Sequence, residues 1–81
     1  MTSIPPNTAQ DEASLGGLAM KFRGTRLDAE RRDIASDYSK TVERLIQSGR
    51  WREFPPPEDQ LPDDWMPSAF FEYWSRQHAT P

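Results

Sequence analysis

Thr25 to Gly49 reads TRLDAERRDIASDYSKTVERLIQSG. At 100° per residue, Leu27, Ile34, Tyr38, Val42 and Leu45 fall on one side, flanked by Ala35 and Ile46. Thr25 is suited to cap the start, with Asp28 three residues on as an imperfect capping box. Gly49 stands where a left-handed residue ends a helix. Ends, length and apolar stripe agree, and they predict a helix over 26–48.

Upstream, residues 1–10 are polar and contain Pro5-Pro6, which predicts a disordered arm. Asp11 then precedes Leu15, Leu18, Ala19 and Phe22 at helical spacing, predicting a helix over about 12–23 that Gly24 terminates. Gly16 and Gly17 each cost a helix interior about 1 kcal/mol against alanine, so this helix needs packing to form. Downstream, Pro55-Pro56-Pro57 favours an extended segment, and residues 53–63 read as a proline-rich connector. Pro62, Asp63 and Asp64 supply a turn and a cap, and Pro67 fits a first helical turn. A last helix is expected over 64–77, with Met66, Phe70, Tyr73 and Trp74 on one side and Phe71 pointing elsewhere. No stretch alternates like a half-buried strand. The expected fold is all-α: two or three helices with an irregular proline-rich connector, forming one small domain over 11–78.

The 81 residues bury a thin core, and the absence of cysteine excludes disulfides and thiolate metal sites. No run approaches the roughly 18 apolar residues of a membrane span, and the first residues do not resemble a secretory signal. A soluble cytoplasmic protein without a membrane partner is expected. Catalysis has little to work with. His78 is the lone histidine and is expected in a frayed tail, and no glycine-rich phosphate loop is present. Glu58, Asp59, Asp63 and Asp64 match no calcium-loop pattern and are interrupted by Pro62. A non-enzyme without cofactor or metal is expected.

Charge is unevenly placed. Residues 1–20 carry -2, residues 21–52 carry +4 and residues 53–81 carry -5. Electrostatic partners, or pairing between the halves, are implied. Three features bear on function. Arg31 falls within the apolar side of the long helix and is expected to pair within the chain, with Asp63 or Asp64 as its acid, or to meet a partner. Arg23 and Arg26, and the Arg50-Trp51-Arg52 triplet, are the candidates for phosphate and base contact. Against this, Trp51 is more simply read as folded back onto its own helix, and acids interleave the other cations.

The third feature is the aromatic run near the far end. Phe54, Trp65, Phe70, Phe71, Tyr73 and Trp74 are six of nine aromatics, and one helical stripe cannot easily receive rings that point several ways. Phe71 and one of Trp65 or Trp74 are expected to remain exposed. These residues point to a small subunit, adaptor or inhibitor that docks on a larger protein. Its contacts are Trp65, Met66, Phe70, Phe71 and Trp74, rimmed by Glu58, Asp59, Asp63 and Asp64, with Arg31 as a further candidate. The alternatives are a nucleic-acid-binding or antitoxin-like regulator, and an acidic mimic of nucleic acid that blocks a basic groove. Self-association would also complete a thin core.

Overall fold

The computed structural model describes residues 8–78 and is all-α, as expected. Helix α1 spans Thr8–Gly24, α2 spans Asp28–Ser48 and α3 spans Ser68–His78. Two single 3-10 turns, Pro57–Asp59 and Asp63–Trp65, lie in the connector between α2 and α3. No helix among the described residues is long and apolar enough to cross a membrane. The disordered arm expected over 1–10 falls outside the described residues for 1–7, and residues 8–10 form the first turn of α1. The expected state of the His78 side chain also lies outside the described residues.

α2 ends as its sequence dictates. Gly49 adopts φ 70°, and its N–H donates to the Ile46 carbonyl at 3.2 Å. Its start differs from expectation. The helix opens at Asp28, and Leu27 occupies the cap position in extended conformation. Thr25 instead accepts the Leu27 N–H at 3.3 Å, and its hydroxyl donates to the Glu30 carboxylate. That shift leaves Leu27 61% exposed, outside the buried stripe to which its spacing assigned it. Ile34 is half-buried, while Tyr38, Val42 and Leu45 are buried.

α1 runs back alongside α2, so that Asp11 near its start meets Arg44 near the end of α2 at 3.3 Å. It buries Leu15, Ala19 and Phe22, and Leu18 packs against the same core. Gly24 is not a left-handed stop, because Gly49 is the one glycine with positive φ among the described residues. The Thr25 N–H instead closes the last turn on the Phe22 carbonyl. Gly16 has a packing role. A Cβ there would lie 2.8 Å from an Asp59 carboxylate oxygen, so the missing side chain lets the connector press against α1. Gly17 meets nothing comparable.

The connector is held from both sides. The Tyr38 hydroxyl donates to the Asp59 carbonyl, and Gln60 donates to the Pro55 carbonyl at 2.8 Å. The buried Leu61 N–H finds the Met66 sulfur at 3.3 Å, a weak acceptor but a real one. The third helix begins at Ser68, four residues later than expected, because Asp63–Trp65 forms its own 3-10 turn. The Met66 and Pro67 backbones then carry the chain into α3, where Phe70 N–H bonds the Pro67 carbonyl at 3.1 Å.

Tyr38 tests this tethering. Replacing it with phenylalanine removes the donor to Asp59 and is expected to cost about 1–3 kcal/mol. The phenol's pKa is raised, first by burial and then by the Asp59 carboxylate. Below pH 10 the hydroxyl is neutral whether the chain is folded or not. As pH rises beyond that, the unfolded chain ionises first, so stability falls until the folded-state pKa is passed. Urea denaturation across the alkaline range should show that decline in the wild type and a flatter limb in Tyr38→Phe.

Candidate functional site

The aromatic run divides into an interior and a remainder. Trp51 is 1% exposed and sits at the centre of the interior set. Its ring stacks on Tyr73 with centroids 5.6 Å apart and planes 14° apart, and meets Trp74 edge-on at 5.0 Å. Phe70 lies 6.0 Å away, and the Tyr73 hydroxyl donates to the Trp51 carbonyl at 2.6 Å. Trp51 therefore joins α3 to the core that the buried face of α2 shares.

Of the expected protein contacts, Met66, Phe70 and Trp74 are buried and are withdrawn from the surface. The expectation treated α2 as the only receiving face. Trp51 and Phe54 in fact build a second one against α3, with Phe54 lying 5.3 Å from Trp74 and 5.6 Å from Phe70. Trp65 is half-buried, set edge-on against Phe22 of α1 at 5.2 Å. Phe71 is 44% exposed, as its direction on α3 implied, and Phe54 is 52% exposed. Both rest against the Phe70 ring, Phe71 at 5.5 Å. Each exposed ring thus rests against the same buried ring, Phe70.

Arg31 turns inward to the α1–α2 junction. Its guanidinium lies 5.5 Å from the Phe22 ring centre, its Nε donates to the Thr25 carbonyl at 3.3 Å, and its acid is Asp28 at 3.9 Å. Asp63 and Asp64 are not its partners. They are exposed, as is Glu58, whose carbonyl accepts from Arg23 at 2.8 Å. Asp59 is half-buried between Gly16 and the prolines.

The cations proposed for nucleic acid are not gathered. Arg23 in the last turn of α1 and Arg26 in the α1–α2 junction stand before α2, and Arg50 and Arg52 stand past its end. At 1.5 Å rise per residue, a helix of this length holds them about 30 Å apart. Trp51, the base-stacking candidate between the latter two, is sealed in the interior.

What the sequence did not indicate is a small cleft of about 110 Å³ beside Phe54. Leu15, Trp51, Phe54, Pro55 and Pro56 form its apolar walls, and Glu12, Glu53 and Asp59 line it with carboxylates. Among the described residues no cation pairs with these three acids; the ion pairs are Arg31–Asp28 and Arg44–Asp11. Glu12 has a raised pKa, through partial desolvation and then the charge of Glu53. Glu12 and Glu53 lie on different elements far apart in sequence, so no local motif announces them.

No protein-family model, curated protein or solved structure matches this chain.

Proposed function

We propose that this chain is a non-enzymatic interaction protein that docks on a larger protein through Phe54 and Phe71, with the acids of the connector around them. One observation carries the reading. Phe54 is half-exposed, is braced from below by Phe70 and Trp74, and also walls the acid-lined cleft. Single exposed apolar residues need no explanation, but two half-exposed rings braced on one buried ring are held rigid for contact. Rigid aromatics lose little rotamer freedom on binding, which is why they serve as anchors. The carboxylates beside Phe54, those of Glu12, Glu53 and Asp59, favour a positively charged partner face and speed encounter with it.

The test is affinity capture from an extract of the source cells, followed by a dissociation constant for the purified partner. Phe71→Ser is expected to weaken binding about tenfold, the effect of one moderate anchor. Glu30→Ala, on the exposed side of α2, should stay within about twofold of wild type. Equal losses in both variants would remove the patch from consideration. Sedimentation of the isolated chain separates one further outcome: a dimer lost in Phe71→Ser would make a second copy the partner.

A further inference from the structure

The cleft beside Phe54 has a chemistry of its own. Its volume, about 110 Å³, is well below the roughly 300–1,000 Å³ of pockets that enclose drug-sized ligands. It suits the end of one side chain rather than a nucleotide or cofactor. Among the described residues no cation pairs with the three carboxylates that set its sign, and Phe54 and Pro56 are its exposed apolar walls over the buried Trp51 and Pro55. Among the described residues no three acids or histidines are grouped to hold a metal ion. A guanidinium combines positive charge, weak hydration and a planar face that stacks on aromatic rings, whereas an ammonium is a compact, strongly hydrated point charge.

We propose that this cleft seats an arginine side chain presented by the docking partner, with Glu12, Glu53 and Asp59 holding the guanidinium against the exposed wall of Phe54. The proposal rests on the docking role argued above and adds the partner's chemistry to it. Phe54 links the two: one part of the ring borders the exposed patch, and another walls the cleft. The raised pKa of Glu12 fits this arrangement, because two carboxylates kept near one another without a counter-ion are relieved when a cation enters.

The experiment needs no identified partner. Proton–nitrogen correlation spectra of the full chain are recorded during titration with acetylarginine amide, and then with the lysine and glutamine equivalents. The expected result is a saturable shift of the Glu53 and Phe54 amides and of the Trp51 indole N–H. Arginine should bind at least about threefold tighter than lysine, and glutamine should give no saturable shift. Glu53→Gln, at an exposed position, should weaken the arginine probe about fivefold. Glu30→Gln should leave it unchanged. Three results would overturn the assignment: no saturation at tens of millimolar probe, equal binding of lysine, or wild-type affinity in Glu53→Gln. If Phe71→Ser loses the partner while the arginine probe fails to bind, the cleft falls and the patch stands. If the probe binds and Phe71→Ser keeps its partner, the patch falls and the cleft stands.

Discussion

Trp51→Ala is expected to leave the chain largely unfolded under conditions where the wild type is folded. Trp51 is buried to 1% exposure and touches Phe70, Tyr73 and Trp74 at once. Truncating a buried tryptophan costs about 3–5 kcal/mol, from lost transfer free energy plus the cavity left behind. The whole stability of a small domain is about 5–15 kcal/mol, and one of this size belongs near the lower end. The loss also disconnects elements. Trp51 joins the end of α2 to α3 through its ring, and through the Tyr73 hydroxyl bound to its carbonyl. Circular dichroism against urea should show the midpoint falling by half or more. A shift within about 0.5 kcal/mol, the range of ordinary surface changes, would show that the Trp51 ring is not interior.

Trp74→Ala is the second large effect, and it distinguishes a core from a contact surface. The ring is 6% exposed, set against Trp51, Phe54 and Tyr73 at 5.0–5.3 Å. Its removal is again expected to cost about 3–5 kcal/mol of stability. Trp74→Phe should behave differently. Among the described residues the indole N–H of Trp74 meets no acceptor, although it is buried. An unpaired buried donor costs about 1–3 kcal/mol, so phenylalanine loses volume but also removes that penalty. Trp74→Phe is expected to stay within about 1.5 kcal/mol of wild type. Thermal denaturation of both variants checks the pair. A Trp74→Ala chain as stable as wild type would return this ring to the surface.

Much of the fold is legible in the sequence because it is written locally. The stripe Tyr38, Val42 and Leu45, with Gly49 after it, states both the face and the end of α2. The direction of Phe71, away from Phe70 and Trp74, follows from helical geometry alone. The start of α2 is less legible: Thr25 has the chemistry of a cap, yet Leu27 holds that position and the Thr25 hydroxyl bonds Glu30. The later start of α3 is hidden in the same way. Prolines fix φ, but they do not say whether Asp63 begins a 3-10 turn or a helix.

The misread residues are those whose partners are distant. Local sequence places Trp51 just past α2 and says nothing of Tyr73, whose hydroxyl draws it to α3. Trp74 reads as surplus only if α2 is the sole surface for rings. Trp51 and Phe54 provide another, and the interior holds more aromatic area than one stripe suggests. The cleft is the extreme case. Glu12 comes from α1, Glu53 and Phe54 from the connector's start and Asp59 from its first turn. Packing of Gly16 against Asp59, with Tyr38 and Arg23 bound to the connector's carbonyls, brings those elements together.

Hydroxyl-radical footprinting, read residue by residue with and without the captured partner, tests the division of rings most directly. In the free chain, Phe54 and Phe71 should be oxidised while Trp51, Phe70 and Trp74 are protected. Adding the partner should protect Phe54 and Phe71 and leave the other three as they were. Ready oxidation of Trp51 or Trp74 in the free chain, or unchanged labelling of Phe54 and Phe71 in the complex, would contradict it.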